Sequence, residues 1–273
     1  MNPPRKPSLR SVPPSWGKKH SGRPFVFLER WVSAALLLPL ACLVGGARAQ
    51  DGRALMEESL RRHAPPPYVY EEQALVLSDR QGQLGVRTMR YYARRDAAGS
   101  QSLRVIETPA ESKGNAIYVG RDAADGKRRG AAPSAPVFGS NFSVADLEEE
   151  QVQDFHYKRE ADHDLDRVPH HALRAVPASE AVASATNYRE RRLYLRKDNL
   201  YITRIEYRDR QGRLARRQTF RDPRPEESGA WRANMILMED LVDGRRSLLK
   251  TERRAHSPDY VPADVFAGWQ AKP

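Results

Sequence analysis

The chain has 273 residues, of which 40% are hydrophobic and 30% charged, and its formal net charge is +11. This length supports one or two domains, and this composition excludes a collagen-like chain, a fully disordered chain and a multi-span membrane protein. The single cysteine excludes a disulfide framework within the chain and a cysteine-rich zinc module. Residues 1–49 hold eight Lys or Arg against one acid, so much of the excess charge lies there and no nucleic-acid partner is expected.

The N-terminus has the pattern of an export signal. Residues 1–30 are rich in Pro, Lys and Arg, and an apolar run follows over residues 31–44. Ala47 and Ala49 then supply the small side chains that a signal peptidase accepts. We therefore expect residues 1–49 to be a signal peptide.

Lipid attachment at Cys42 is an alternative to signal-peptide cleavage. Cys42 follows Leu40 and Ala41 in a pattern that resembles a lipobox, so a lipid attached to Cys42 would anchor the chain instead. We favour the interpretation that the chain is cleaved before Gln50. This cleavage leaves residues 50–273 as one periplasmic domain without cysteine, which suits an oxidising compartment.

One helix and then a long series of strands are expected in this domain. Asp51 is a suitable N-cap for a helix over residues 52–62, and Pro65 to Pro67 end it. Runs of β-forming residues separated by turn residues predict about eleven strands. These are residues 68–77, 86–94, 103–107, 116–119, 154–159, 171–176, 188–196, 201–208, 214–221, 234–241 and 246–254.

Three segments between and after the strands are not extended. Residues 120–136 contain no large apolar side chain and are predicted to be a mobile loop. Ser143 and Asp146 have the spacing of a capping box for a short helix. A final helical turn is expected over residues 262–266.

Short turns between consecutive strands predict an antiparallel meander rather than a parallel sheet with crossover helices. A sheet of this size tends to curl, which creates a concave face. The expected fold class is therefore mainly β, a curved and incomplete antiparallel β-barrel with a few short helices.

Alternation along the strands selects candidates for the concave face. Side chains two residues apart share a face, so each apolar series either fills a core or lines a cavity. On one strand the choice is open between Met235 with Leu237 and Ile236 with Met238. The proposed cavity residues are Met89, Tyr91, Leu193, Leu195, Ile205, Tyr207, Met235 and Leu237.

The densest group of possible metal ligands is DHDLD at residues 162–166, followed by His170 and His171. Arg167 stands where a calcium loop needs glycine, and adjacent histidines on a strand point to opposite faces. An exposed hairpin is therefore favoured over a metal site.

No arrangement of residues predicts catalysis. Residues 148–150 are three consecutive glutamates, which we interpret as a solvated helix surface rather than an acid–base pair. The sequence has no nucleophile elbow and no phosphate-binding glycine loop, and its cysteine lies in the predicted leader. We expect no enzyme activity, no metal and no cofactor.

Four segments follow one another along the chain: residues 139–147 are GSNFSVADL, residues 188–196 and 201–207 are two consecutive predicted strands, residues 209–214 are DRQGRL, and residues 261–266 are VPADVF. In this order they resemble the GSDFSYEDL stretch, the Y…lwVdk…plrveyyD hairpin, the D..Gk.lK turn and the ipdelFt ending of the LolA-like family of outer-membrane lipoprotein-sorting proteins. The resemblance implies a periplasmic carrier whose incomplete, LolA/LolB-like barrel is closed by helices and holds acyl chains.

Two functions from different classes follow. The first is a carrier that shields the acyl chains of lipoproteins or lipids, with an inner-membrane exporter and an outer-membrane acceptor as partners. The second is a regulatory module of the same fold that senses lipid or lipoprotein. The absence of a recognisable second domain in the sequence favours the carrier.

Overall fold

Hairpin connections order most of the strands in this protein. The computed structural model describes residues 43–82, 84–186 and 188–269, and thirteen strands of these residues form one sheet in which every pairing is antiparallel. The strands are β1 (Tyr68–Ser78), β2 (Leu84–Asp96), β3 (Gly99–Thr108), β4 (Ala116–Asp122), β5 (Arg128–Gly130), β6 (Phe155–Arg159), β7 (His163–Leu165), β8 (Val168–Pro177), β9 (Glu190–Arg196), β10 (Ile202–Arg208), β11 (Leu214–Pro225), β12 (Trp231–Asp240) and β13 (Arg246–Ala255).

The first and last strands pair at the middle of the sheet. The spatial order is β5-β4-β3-β2-β1-β13-β12-β11-β10-β9-β8-β6, and β7 also pairs with β8. The end strands β5 and β6 do not pair with each other, so the sheet is curved but not closed. The predicted incomplete antiparallel barrel is confirmed, with thirteen strands instead of about eleven.

The two additional strands are short. Arg128–Gly130 pairs with β4, so the segment predicted as a mobile loop over residues 120–136 contains one strand and the end of another. An ion pair between Arg128 and the distant Glu148 stabilises this hairpin. The composition of the segment alone does not indicate such a pair, so it predicted a loop. The second additional strand, β7, forms the predicted exposed hairpin with β8. Asp166 and Arg167 at its turn have φ values of 52° and 65°, as a two-residue type I′ turn requires.

Within the described residues, two α-helices and five 3₁₀ helices accompany the sheet. The α-helices are α1 (Leu43–Arg62) and α2 (Glu180–Thr186), and the 3₁₀ helices are Ala110–Ser112, Val144–Leu147, Val152–Asp154, Pro258–Tyr260 and Ala263–Phe266. Residues 43–50 already belong to helix α1, so Asp51 lies inside the helix and the expected N-cap is wrong, whereas the predicted capping box of Ser143 and Asp146 is confirmed. Most of the predicted signal peptide lies outside the described residues. Within the described part of the chain, no helix has the length and hydropathy that a membrane crossing requires.

Helix α1 packs on the concave side of the sheet beside β6. Its Met56 is buried, and the Ser59 hydroxyl donates a hydrogen bond to the Leu200 carbonyl at 2.7 Å. A Cβ atom at Gly52 would lie 2.9 Å from the main-chain nitrogen of Arg159, so glycine permits the close approach of α1 to β6. The helix thereby covers one end of the concave face.

Apolar side chains form clusters on both faces of the sheet. The larger cluster lies on the concave face, where α1 and residues 137–144 pack against the strands. The smaller cluster lies on the opposite face, where the C-terminal 3₁₀ segment covers β1 to β4. Its buried members are Tyr70, Leu103, Tyr118, Val261 and Phe266.

Candidate ligand-binding cavity

A cavity of about 320 Å³ lies on the concave face between the sheet, the C-terminal end of α1 and residues 145–150. Its volume is within the range of about 300–1,000 Å³ that is common for small-molecule sites. The lining has an apolar side and a charged side. The apolar side is contributed mainly by Leu60, Tyr201, Ile202, Ile205, Phe220, Trp231, Ile236 and Leu249.

The predicted cavity residues divide into three groups. Tyr91, Ile205 and Tyr207 line the cavity. Met89, Leu193 and Leu195 point to the same face but are fully buried in the core cluster. Met235 and Leu237 are the third group, and they do not line the cavity.

On β12, the second of the two possible sets, Ile236 with Met238, faces the concave side. Ile236 lines the cavity and Met238 is buried in the core, so the placement of Met235 and Leu237 on the concave side is wrong. Both phases of this strand are apolar, so alternation could not decide between them. The sheet register decides, because Ile236 lies between Phe220 on β11 and Leu249 on β13, which also line the cavity.

A β-bulge interrupts the alternation of side chains on β10. The pairing of β10 with β9 shifts between Ile202 and Arg204, so Thr203 has no partner in the ladder. As a result Tyr201 and Ile202 both line the cavity, although they are adjacent. The Thr203 hydroxyl instead lies 2.8 Å from Nε2 of the buried His170.

The charged side of the cavity is made of ion pairs. Five acidic side chains line it, and each pairs with an arginine from another segment. The pairs are Glu71 with Arg254, Asp146 with Arg216, Glu148 with Arg128, Glu149 with Arg95, and Glu150 with Arg191. The interpretation of residues 148–150 as a solvated helix surface is therefore wrong, because these glutamates follow the 3₁₀ helix and turn toward arginines of the sheet.

A hydrogen-bonded network joins the apolar and the charged sides. The Tyr207 hydroxyl donates to Gln218 Oε1 at 2.6 Å, and Gln218 Nε2 donates to the Asp146 carbonyl at 3.0 Å. Burial raises the pKa of Tyr207 well above its ordinary value, so its hydroxyl remains a donor. The network fixes residues 145–150 over the sheet, because Gln218 is fully buried and has no alternative partner in water.

His63 connects the end of α1 to the cavity wall. Its Nε2–H donates to the Asn199 carbonyl at 3.0 Å, and its Nδ1 accepts from the Trp231 main-chain N–H at 3.0 Å. The Trp231 bond requires the neutral ring, because a protonated Nδ1 cannot accept, whereas the Asn199 bond persists when the ring is protonated. Burial lowers the pKa of His63, and the positive charges of Arg232 and Arg62 act in the same direction, against the Asn199 bond that raises it.

The acidic hairpin at residues 162–166 does not assemble a metal site from the described residues, which hold no group of three or more potential ligands in suitable positions. The carboxylate of Asp162 instead contacts Lys197 Nζ at 2.7 Å and His171 Nδ1 at 3.1 Å. The Lys197 ammonium, with help from His171 and Arg159, holds the pKa of Asp162 far below its usual range.

Sequence reasoning missed the charged residues of the cavity. A usable signal is present for the polar residues that lie on strands, because they occupy positions in phase with apolar residues of the same strand. Glu71 and Gln73 precede Leu75 on β1, Arg191 precedes Leu193 on β9, and a further pair on β11, Arg216 and Gln218, precedes Phe220. A polar residue in an inward-facing series predicts a buried, paired charge.

Comparisons with known proteins identify the fold. A structure from Vibrio parahaemolyticus, assigned to the outer membrane lipoprotein-sorting protein domains, is 18% identical with a TM-score of 0.65, covering 76% of this chain and 92% of that one. A DUF1329 family protein from Desulfovibrio piger is 18% identical with a TM-score of 0.68, and the match covers 80% of this chain and 98% of that chain. A LolA superfamily protein from Nitrosomonas europaea is 16% identical with a TM-score of 0.61, and the match covers 79% of this chain and 96% of that chain.

At the level of sequence, no curated protein matches the chain. Residues 87–267 match the model of a family that is described as uncharacterized protein, and this match spans more than half of the chain. The open curved antiparallel sheet of this chain is similar in overall fold to the LolA-like structures. The chain therefore belongs to the family whose model matches residues 87–267, and its fold is LolA-like.

Proposed function

We propose that this protein is a periplasmic carrier that binds the acyl chains of lipoproteins or lipids and transfers them toward the outer membrane. The observation that supports this proposal is the cavity of about 320 Å³ with an apolar side on the concave face of the sheet. Each methylene of an acyl chain costs about 0.8 kcal/mol in water, so a chain that crosses an aqueous compartment needs an apolar site. Such transfer requires no catalytic residue and no cofactor.

The LolA-like fold is consistent with this activity, since one solved structure of the same fold is assigned to lipoprotein sorting. We further propose that export removes residues 1–49 and that an inner-membrane exporter and an outer-membrane acceptor are the partners. Mass measurement of protein purified from the periplasm should give a chain that begins at Gln50. A terminus at an acylated Cys42 would instead place the protein on a membrane surface.

Two adjacent residues of β12 provide a matched test of the cavity. Ile236 lines the cavity, whereas its neighbour Leu237 alternates to the other side of the strand and does not. Ile236→Trp should fill part of the cavity and weaken the binding of hexadecanoic acid about tenfold or more, because the indole occupies space that the chain needs. Leu237→Trp introduces the same ring outside the cavity and should leave binding near that of the unmodified protein.

The measurement is displacement of the neutral apolar probe N-phenyl-1-naphthylamine, with thermal unfolding of each variant as the control for folding. Loss of binding in a folded Ile236→Trp protein and retention in Leu237→Trp support the carrier. An unmodified protein that binds neither the probe nor a sixteen-carbon chain would refute it.

A further inference from the structure

Arg104 differs from the other charged residues of the cavity. It lies on β3, is only 5% exposed, and lines the cavity. Its one hydrogen bond within the described residues runs from Nη2 to the Leu147 carbonyl at 3.4 Å. Its buried Nε has no partner there, which is also true of Nε in Arg128, Arg191 and Arg216, but each of these three is paired with a carboxylate through its terminal nitrogens. Within the same part of the chain, no carboxylate forms an ion pair with Arg104, whereas each of the five acidic side chains of the cavity has its own arginine.

The sheet register explains why Arg104 is left without a carboxylate. Glu71, Tyr91 and Arg104 lie opposite one another across β1, β2 and β3. Strands are about 4.8 Å apart, so Tyr91 separates the arginine from Glu71 by two strand spacings. Glu71 instead pairs with Arg254 on the other side, at 2.6 Å.

Tyr91 also holds the guanidinium in place. The Arg104 Cζ atom lies 4.2 Å from the centre of the Tyr91 ring, a cation–π contact that fixes the plane of the guanidinium. Burial raises the pKa of Tyr91, although the Arg104 charge opposes the rise, so the phenol stays neutral beside the cation. The cation is therefore preorganised, and its planar array of five N–H donors is matched to an oxyanion.

A buried arginine is rarely left without a partner, because an uncompensated charge is costly to remove from water. We propose that Arg104 binds the anionic head group, a carboxylate or phosphate oxyanion, of an amphiphile whose acyl chain lies on the apolar side of the cavity. This inference rests on the proposed function and narrows its cargo. Acyl chains joined to a protein through ester or amide linkages carry no charge at the linkage, so Arg104 favours a free anionic lipid over an acylated protein.

Three ligands with the same sixteen-carbon chain test this inference on the full domain. Hexadecanoate and hexadecyl phosphate carry the two oxyanions, and hexadecanol is the uncharged control. Displacement of N-phenyl-1-naphthylamine should show that at least one anionic ligand binds about tenfold or more tightly than the alcohol, as a charge-assisted hydrogen bond predicts. The stronger of the two anions identifies the head group.

Arg104→Gln should abolish this preference and leave the affinity for hexadecanol unchanged. The matched control is Arg90→Gln, which removes the same charge from β2 next to Tyr91, at an exposed position that does not line the cavity. Arg90→Gln should keep the full preference. If Arg104→Gln does not fold, Arg104→Lys replaces it and should reduce the preference, because lysine lacks the bidentate fork.

The outcomes separate this inference from the proposed function. Equal binding of the three ligands by the unmodified protein, a preference that persists in Arg104→Gln, or an undiminished preference in Arg104→Lys overturns the head-group site and leaves the carrier intact. Failure of all three ligands to bind overturns both.

Discussion

Arg191 and Glu150 form a buried ion pair beside the cavity, with Arg191 Nη1 donating to Glu150 Oε2 at 3.0 Å and Nη2 donating to Oε1. The two side chains are only 7% and 13% exposed. The guanidinium also lies 4.0 Å from the centre of the Phe155 ring, and the Tyr157 hydroxyl donates to Glu150 at 2.5 Å. The pair joins β9 to the segment that covers the cavity.

Removal of one partner of this pair should be strongly destabilising. Arg191→Met leaves the Glu150 carboxylate buried with the Tyr157 hydroxyl as its remaining donor, so we expect a loss of about 3–5 kcal/mol in the free energy of unfolding. The matched variant is Arg174→Met, because Arg174 pairs with Glu190 but is 41% exposed, and it should cost less than about 1 kcal/mol. Urea unfolding measures both; similar losses in the two variants would contradict a special role of the buried pair.

Stability should fall on acidification because of His63. Burial lowers its pKa in the folded protein below the ordinary value of about 6.5, so between the two values the unfolded chain binds more protons. The contribution of His63 is therefore complete above about pH 6.5 and is lost as the pH falls toward the folded-state pKa.

His63→Gln tests the origin of this dependence. The glutamine amide can donate to Asn199 and accept from Trp231, but it does not titrate in this range. Melting temperatures between pH 8 and 5 should decline less steeply in the variant. The buried His170, whose pKa burial also lowers, should account for part of the remaining slope. Identical slopes in the two proteins would exclude His63 as a source of the acid sensitivity.

Tyr207→Phe separates a structural from a ligand-binding role. The variant keeps the ring that lines the cavity but leaves the fully buried Gln218 Oε1 without its donor. We expect a loss of about 1–3 kcal/mol in unfolding free energy and little change in affinity for an acyl chain. A variant with unchanged stability would show that the hydroxyl does not support residues 145–150.

Leu193→Trp tests whether Leu193 belongs to the core or to the cavity. Leu193 is fully buried between its register partners Leu173 and Ile205, so the larger ring should overpack the core. The expected cost is about 1–3 kcal/mol, measured by thermal or urea unfolding. Unchanged stability together with weakened acyl-chain binding would instead place Leu193 in the cavity, as the strand pattern alone allowed.

Local patterns were sufficient to predict most of the secondary structure. Turns such as Asp209 to Gly212 and alternation along strands such as residues 214–221 determine where the chain reverses and which residues share a face. These are properties of a few neighbouring residues, so an antiparallel, incomplete barrel could be predicted without knowledge of distant contacts. The capping box at Ser143 is local in the same sense and was predicted correctly.

Local patterns were insufficient where two arrangements suit the same residues. Both faces of β12 are apolar between Met235 and Met238, so only its register against β11 and β13 selects Ile236 for the cavity. The sequence of β10 alternates without interruption, but the bulge at Thr203 changes the face to which the side chains before it point. In both cases the decision depends on the neighbouring strand, which a single segment does not specify.

The pairing of charges around the cavity was decided by tertiary structure. Glu150 is 41 residues from Arg191 in sequence, and Glu71 is 183 residues from Arg254. The phase of a strand can indicate that a glutamate such as Glu71 is buried, but it does not specify the partner, so only folding brings these partners together and determines which arginine is left without one. The sequence by itself therefore determined the sheet and its alternation, whereas the long-range pairing of charges determined the chemistry of the cavity, because the free energy of a buried charge depends on the groups that surround it.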